Sequence, residues 1–185
     1  MARRYDPVAG FNFSVALLPS KGADGPGTGT IGISTAGTRS YAGFSEVSGL
    51  ELTMSVEDYE AGGINDAVLR FPGRIRWSNL TLKRGVVGRR DPLDDTDLWT
   101  WFNDYLEGRG VRKDGLVTLL KPNGDPVHVW SFKNGLPAKW VGPSLNAGSS
   151  QVAVESLEIA HEGIRREDAG GALGKAIGGV VDAIF

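Results

Sequence analysis

The sequence contains no cysteine, only two histidines and no long apolar run. Without cysteine the chain has no disulfide bond, thiolate zinc site, iron–sulfur cluster or cysteine nucleophile. No stretch approaches the roughly 20 consecutive apolar residues that a membrane-spanning helix needs. Asn12 and Ser14 interrupt the apolar stretch that follows the two N-terminal arginines, so we predict no secretory signal peptide.

A strong net charge and the common catalytic motifs are also missing. Twenty basic and 22 acidic residues leave a net charge of −2, which excludes the electrostatic footprint of a dedicated nucleic-acid-binding protein. His128 and His161 lie in separate predicted strands, and neither has a second ligand three or four residues away. A GxGxxG pattern at residues 27–32 precedes no helical apolar period, so we interpret it as a loop. The sequence predicts no enzyme, catalytic residue, metal or cofactor.

Glycine is abundant, at 27 of 185 residues, about twice its usual share of ~7%. Glycines scattered between short apolar runs predict many turns and short strands. The length indicates one domain, which we place at residues 1–164, with a glycine-rich loop or hairpin inserted at 21–40. Residues 165–185 form a predicted C-terminal extension. Its apolar residues lie near helical spacing, which is compatible with a short amphipathic helix that docks on a partner or with a disordered end: Leu173, Ile177, Val180 and Ile184.

Alternating apolar and polar residues predict a series of short strands. The turn chemistry of Asn123-Gly124 between two of them predicts a tight hairpin. So many short strands imply a mostly antiparallel sheet that closes into a barrel or packs as a sandwich. The predicted strands are 11–17, 44–47, 50–56, 79–83, 116–120, 127–132, 136–141 and 152–160.

One amphipathic helix interrupts this pattern. Its apolar residues recur at i, i+3, i+4, i+7 and i+8, and we predict that they form its core face: Leu98, Trp101, Phe102, Tyr105 and Leu106. Acidic and hydroxyl residues at 94–97 suit the helix N-terminus, and Gly108 suits the position after its C-terminus. The predicted fold class is therefore mainly β, an antiparallel barrel or sandwich with one flanking α-helix and a C-terminal extension.

The segment between residues 57 and 76 is strongly charged, with an acidic part followed by a basic part. We interpret it as a long hairpin or extended loop. The acidic residues are compatible with a cation site or an acid/base pair, and the basic residues, together with Arg84, with phosphate binding. Complementary charges on adjacent segments fit a subunit contact as well. The interface candidates are Glu57, Asp58, Glu60, Arg70, Arg74 and Arg76.

Several consecutive segments resemble the tail tube family of contractile phages and phage-like contractile injection systems, and more distantly the haemolysin-coregulated protein of type VI secretion. Each segment is short and carries no catalytic residue, but their number and order make the combination specific. The resemblance covers roughly Phe11 to Ile164. Its segments are FNF at 11–13, AGFSEVSGL at 42–50, YEAGG at 59–63, FPG at 71–73, NLTLKRG at 79–85, LWTWF at 98–102, WVGPSLNA at 140–147 and ESLEIAHEG at 155–163.

The resemblance implies a β-barrel with one flanking helix, six copies per ring, and rings stacked into a hollow tube inside a contractile sheath. It implies assembly in the cytoplasm without a signal peptide, as part of a phage tail or of an intracellular or extracellular contractile particle. The implied partners are further copies of the chain, sheath protein, baseplate and spike proteins, and a tape measure or cargo in the lumen. Neither an active site nor sequence-specific nucleic-acid binding is implied. The charged segment is expected to reach a neighbouring subunit or the next ring.

Two other interpretations stay open. The 21–40 insertion and the 165–185 extension exceed the compact tube subunit, which suits a baseplate-proximal ring that initiates the tube. In a different class, a monomeric β-sandwich would bind carbohydrate or peptide through exposed tryptophans.

Overall fold

The computed structural model describes residues 7–20, 40–41, 43–63, 66–86, 98–148 and 150–168. Within these ranges the chain forms ten strands and one helix, so the predicted mainly antiparallel β fold with one flanking helix is confirmed. In chain order the elements are β1 Phe13–Pro19, β2 Ser40–Tyr41, β3 Phe44–Ser48, β4 Leu52–Tyr59, β5 Leu69–Trp77, β6 Leu80–Gly85, α1 Leu98–Leu106, β7 Lys113–Leu120, β8 Pro126–Val141, β9 Val154–Ala160 and β10 Ile164–Asp168.

Eight of the strands form one antiparallel sheet in the order β2-β1-β7-β8-β9-β6-β3, with β10 paired to β8. The long strand β8 connects the two halves of this sheet. Its first part pairs with β7 and β10, and its second part pairs with β9. Because β8 belongs to both halves, apolar residues from both can face a common core. We call this sheet together with α1 the body.

The prediction of separate strands at 127–132 and 136–141 is wrong, because β8 runs through both. Asn134, which lies between the two predicted strands, has a left-handed φ of 53°. Its backbone N–H donates to Asp114 Oδ1 (2.9 Å) and its Nδ2 donates to Glu162 Oε2 (2.7 Å). The side chain thus holds a local irregularity in place, and pairing resumes at Gly135 opposite Lys113.

The core contains residues from both halves of the sheet. In β6, Leu80 and Leu82 are fully buried and alternate with half-buried polar residues, as the period of two predicts. They pack in one cluster with Val117 and Phe132 from the other half. Trp101 of α1 joins the same cluster, and its Nε1 donates to the carbonyl of Val111 (2.9 Å). The helix therefore covers the core rather than a separate site.

The predicted core face of α1 is only partly correct. Leu98 and Trp101 are buried and Phe102 packs against the core, but Tyr105 and Leu106 are 37% and 70% exposed. The periodicity identifies one helix face, but it does not show how far the sheet extends beneath it. At the C-terminus Gly108 has the left-handed φ of 73° that its predicted position requires. The N-terminal signals at 94–97 lie outside the described residues.

The structure also bears on the predicted hairpin before β8 and on the predicted domain boundary at residue 164. The hairpin before β8 is confirmed: the N–H of Gly124 donates to the carbonyl of Lys121 (2.9 Å), and Gly124 has a φ of 87°. Strand β10 crosses the predicted boundary at residue 164, so the sheet extends to Asp168. Residues 21–39, with the GxGxxG pattern, and 169–185, with the predicted helix, lie outside the described residues.

Candidate subunit interface

Strands β4 and β5 form a hairpin of their own, as the charged segment predicted. Within the described residues neither strand pairs with the main sheet. Every residue of β4 is exposed, and so is every residue of β5 except Gly73. The eight residues of β4 span about 27 Å at ~3.4 Å per residue. We call residues 52–77 the arm. A lone two-stranded ribbon is marginally stable in water, so the arm needs contacts beyond its own ladder.

The base of the arm is attached to the body. The ring of Trp77 makes an edge contact with His161, with 6.2 Å between centroids. His161, which follows β9 rather than lying within it, also has its Nε2 3.1 Å from the carbonyl of Ser78. Burial lowers the pKa of His161 below its ordinary value, and the hydrogen bond to Ser78 partly opposes this effect. The N–H of Ser78 donates to the carbonyl of Glu51 (3.3 Å), which closes the base.

A glycine precedes the arm where the chain approaches β6 closely. Gly49 has a φ of 86°, and a Cβ atom at this position would overlap the carbonyl oxygen of Asn79. Glycine adopts this conformation without steric cost. The break at Gly49 between β3 and β4 therefore directs the chain from the body into the arm.

The structure brings two of the six predicted interface residues together. Arg70 Nε lies 3.3 Å from Asp58 Oδ1, and the two side chains are 73% and 60% exposed. A pair this exposed contributes about 0–1 kcal/mol. The other four candidates are also exposed and form no ion pair within the described part of the chain: Glu57, Glu60, Arg74 and Arg76. Their charges are thus available to another molecule.

The arm also exposes large apolar side chains. Those at residues 52–56 belong to a predicted strand, whereas the surrounding charges obscured those at residues 59–77 in the sequence. Their exposed fractions range from 38% for Trp77 to 59% for Ile75. Apolar residues concentrated on a projecting element are typical of interaction surfaces. The alternation of apolar residues through β5 was the signal in the sequence that could have revealed this apolar surface. The exposed residues are Leu52, Met54, Val56, Tyr59, Leu69, Phe71, Ile75 and Trp77.

A second apolar surface lies on the body, where β6 and β8 end and β9 begins. Gly85 pairs with Val154, and the N–H of Val86 donates to the carbonyl of Ala153 (2.8 Å). Four valines around this end are 43–76% exposed, and we call them the valine patch: Val86, Val141, Val152 and Val154. The arm and the valine patch are different surfaces of one chain.

Arg84, the fourth predicted phosphate-binding arginine, is instead buried in the body. Its Nε lies 2.7 Å from Glu155 Oε1, and both side chains are 6% exposed. Trp140 Nε1 donates to Glu155 Oε2 (3.1 Å), and Trp99 packs on Trp140 with 4.7 Å between ring centroids. Arg84 continues the inward alternation of Leu80 and Leu82, which was the signal for its burial. The structure therefore gives Arg84 a structural ion pair and no access to an external anion.

The described residues offer few other candidate sites. No group of three or more His, Asp or Glu side chains in these ranges is arranged to hold a metal ion. Glu60 and Asp66 line an open concavity at the tip of the arm. His128 contacts Trp130, with 5.8 Å between ring centroids, and its buried Nδ1 has no hydrogen-bond partner among the residues that the structure describes. Among the helical residues described, none forms a helix long and apolar enough to cross a membrane.

Comparisons with known proteins agree with this architecture. Residues 9–165 match the family described as T4-like virus tail tube protein gp19. A chain in the six-fold symmetrised cryo-EM structure of the anti-feeding prophage baseplate has a TM-score of 0.72 at 24% identity, over 91% of this chain and 100% of that chain. A chain in the extended sheath–tube complex of the extracellular contractile injection system PVC has a TM-score of 0.66 at 21% identity, over 88% and 92%. A type six secretion system protein is more distant, with a TM-score of 0.48 at 11% identity over 85% and 84%. No curated protein matches the chain.

Proposed function

This chain belongs to the T4-like virus tail tube protein gp19 family and is a tail tube subunit, and from this membership we propose how it assembles. Six copies form a ring, and rings stack into the hollow inner tube of a contractile phage tail or phage-like contractile injection system. The family match across residues 9–165 carries this proposal. The role is structural, with no catalytic step.

Two features support a ring. The similar chain from the anti-feeding prophage baseplate belongs to a six-fold symmetrised assembly. In addition, the arm and the valine patch are two different exposed apolar surfaces on one chain. Head-to-tail contacts join unlike surfaces of identical subunits and close into a ring when the rotation allows it. Burying both surfaces would supply part of the ~2,000 Å² or more typical of permanent interfaces.

The charged residues of the arm set the register between subunits in this proposal. Charges arranged in complementary patterns favour the correct alignment and disfavour others. Arg74 and Arg76 have no ion-pair partner within the described ranges, and each lies on a projecting strand. We assign them, with Glu57, Asp58, Glu60 and Arg70, to contacts with a neighbouring copy or the next ring.

The proposed partners follow from the place of such a tube in a contractile particle. They are sheath protein on the outside, baseplate and spike proteins at one end, and a tape measure or cargo in the lumen. Assembly takes place in the cytoplasm. A second candidate is the baseplate-proximal ring that initiates the tube, favoured by the insertion at residues 21–39 and by residues 169–185, which follow strand β10.

Negative-stain electron microscopy with light scattering tests the proposal. The full chain is expected to form six-fold rings or hollow tubes, whereas the variant Arg70→Glu, Arg74→Glu, Arg76→Glu stays folded without assembling. A matched control reverses three exposed charges of the body, Arg109→Glu, Lys121→Glu and Lys139→Glu, and is expected to assemble. A full chain that remains monomeric at high concentration would contradict the tube function and favour a monomeric binding module.

A further inference from the structure

The two strands of the arm are paired with a one-residue irregularity. Near the base, Leu52 lies opposite Trp77 and Met54 opposite Ile75. The next pair is Val56 opposite Pro72, so β5 has one more residue than β4 between these pairs. Such a bulge shifts the alternation of one strand relative to the other.

Directly opposed residues in an antiparallel ladder point to the same face. Following the register, the face that carries Met54 and Ile75 near the base carries the ion pair Asp58–Arg70 near the tip. The opposite face carries Thr53 and Arg76 near the base. The bulge therefore places the apolar residues of the base and of the tip on opposite faces.

These residues form two separate apolar patches. The base patch, on one face, consists of Leu52, Met54, Val56, Pro72, Ile75 and Trp77. The tip patch, on the other face, consists of Tyr59, Leu69 and Phe71. The rings of Tyr59 and Phe71 make an edge contact at 6.2 Å, as neighbours on one face do.

The body does not cover either patch within the described residues. In the base patch Trp77 touches the body at His161, while Met54 and Ile75 stay 48% and 59% exposed. In the tip patch Tyr59 and Phe71 are 58% and 52% exposed. A single surface packed against one face of the ribbon would leave the other patch in water.

We propose that the arm is buried between two other copies of this chain, one packed on the base patch and the other on the tip patch. This inference rests on the proposed tube function and specifies its contacts. The chain itself presents apolar surface outside the arm, in the valine patch, where a copy can receive an arm. Contacts between identical copies also account for the polar residues that lie opposite each apolar patch. Arg76, opposite the base patch, and the pair Asp58–Arg70, opposite the tip patch, suit the charged surface of another copy.

Site-specific cross-linking tests the inference, since the absence of native cysteine makes every introduced thiol unique. Ile75→Cys marks the base patch, Phe71→Cys marks the tip patch, and Asn123→Cys, in an exposed turn of the body, is the control. Each thiol carries a photoactivated benzophenone. Labelled subunits are mixed with a large excess of unlabelled wild-type chain, so that each labelled arm meets unlabelled neighbours in the assembly.

After illumination, each single arm label is expected to give two-chain products on a denaturing gel. The double variant Ile75→Cys, Phe71→Cys is expected to shift the product to three chains. Peptide mapping should locate the two links in different copies. Two-chain products alone from the double variant would overturn the inference, as would links confined to the arm's own chain, even where tubes form normally. Failure of the wild-type chain to assemble would contradict the tube function itself.

Paired substitutions supply a second measurement. Met54→Thr with Ile75→Thr alters only the base patch, and Tyr59→Thr with Phe71→Thr alters only the tip patch. Threonine retains a high strand propensity. Each pair is expected to raise the concentration at which assembly begins by about tenfold or more, as a loss of ~1.4 kcal/mol implies, while Thr53→Ser leaves it unchanged. If either pair assembles like the wild type, that patch does not contact another copy.

Discussion

The body and the arm use the same alternating pattern in different surroundings. In β6 the apolar members of the alternation, Leu80 and Leu82, are fully buried in the core cluster of the body. In β4 the corresponding residues Leu52 and Met54 are 51% and 48% exposed. Alternation thus identifies a strand and its apolar face. Whether that face is covered by the same chain or by another one depends on what the fold places beside it.

The body and the arm therefore contribute to different free energies: the body to folding and the arm to assembly. Burial of apolar side chains stabilises the body before any assembly, at roughly 1.5–3 kcal/mol for each large side chain. The arm gains little of this term until it meets a partner. Changes in the body should therefore lower the stability of the monomer, and changes in the arm should affect assembly.

The largest expected effect is the difference in monomer stability between a phenylalanine-to-alanine substitution in the body and one in the arm. Phe132→Ala removes a core ring that is 1% exposed and should lower the free energy of unfolding by about 3–5 kcal/mol. Phe71→Ala removes a ring that is 52% exposed and should cost the monomer much less. Denaturant unfolding below the assembly concentration measures both, and equal losses would contradict the comparison.

Ion pairs provide a second test. Glu155→Ala leaves the charge of Arg84 buried and is expected to destabilise the monomer by about 3–5 kcal/mol. Asp58→Ala breaks the exposed pair with Arg70 and should change monomer stability by no more than ~1 kcal/mol. Thermal unfolding of the two variants beside the wild type checks both values. A small effect of Glu155→Ala would show that other groups stabilise the buried charge of Arg84.

Asn134 tests how the body holds its longest strand. Asn134→Gly allows the left-handed φ but loses the side-chain bonds to Glu162 and Ser20, at about 1–3 kcal/mol. Asn134→Ala loses the same bonds and adds backbone strain of roughly 1 kcal/mol or more. The alanine variant should be the less stable of the two in denaturant. The reverse order would mean that the backbone conformation is not under strain there.

The smallest expected effect concerns pH at the base of the arm. The pKa of His161 is lower in the folded than in the unfolded chain, so the unfolded chain binds more protons on acidification. The free energy of unfolding should therefore fall as the pH drops through about 6.5 and below. His161→Gln should make this dependence shallower in unfolding experiments between pH 8 and pH 5. An unchanged pH dependence would exclude His161 as its source.

Much of the body could be predicted from the sequence, because the alternation of buried residues and the geometry of turns depend on residues that are close in the sequence. The period of two located β6 and β9, and Asn123-Gly124 located the hairpin before β8. The continuity of β8 could not be predicted, since it depends on bonds from Asn134 to residues 20 and 28 positions away in the sequence. The burial of Arg84 depends similarly on Glu155, which is 71 positions away.

The candidate interface was predictable in part. The charges of residues 57–76 indicated a partner-facing hairpin, and the structure shows the hairpin with Asp58 beside Arg70. The two apolar patches could not be predicted, because their placement depends on the bulge between β4 and β5. A one-residue change in pairing exchanges the faces of every later residue. The sequence shows the residues of both strands but not where their register shifts.

Removing the arm tests most directly whether the body folds alone and the arm serves assembly. Leu52 and Trp77 are direct partners in the ladder, so an Asn-Gly turn can join them in place of residues 53–76. Native mass spectrometry and thermal unfolding would compare this variant with the full chain. We predict six-copy or larger assemblies for the full chain, and a folded monomer of nearly unchanged Tm for the variant. Rings formed without the arm, or a variant that does not fold, would contradict the account.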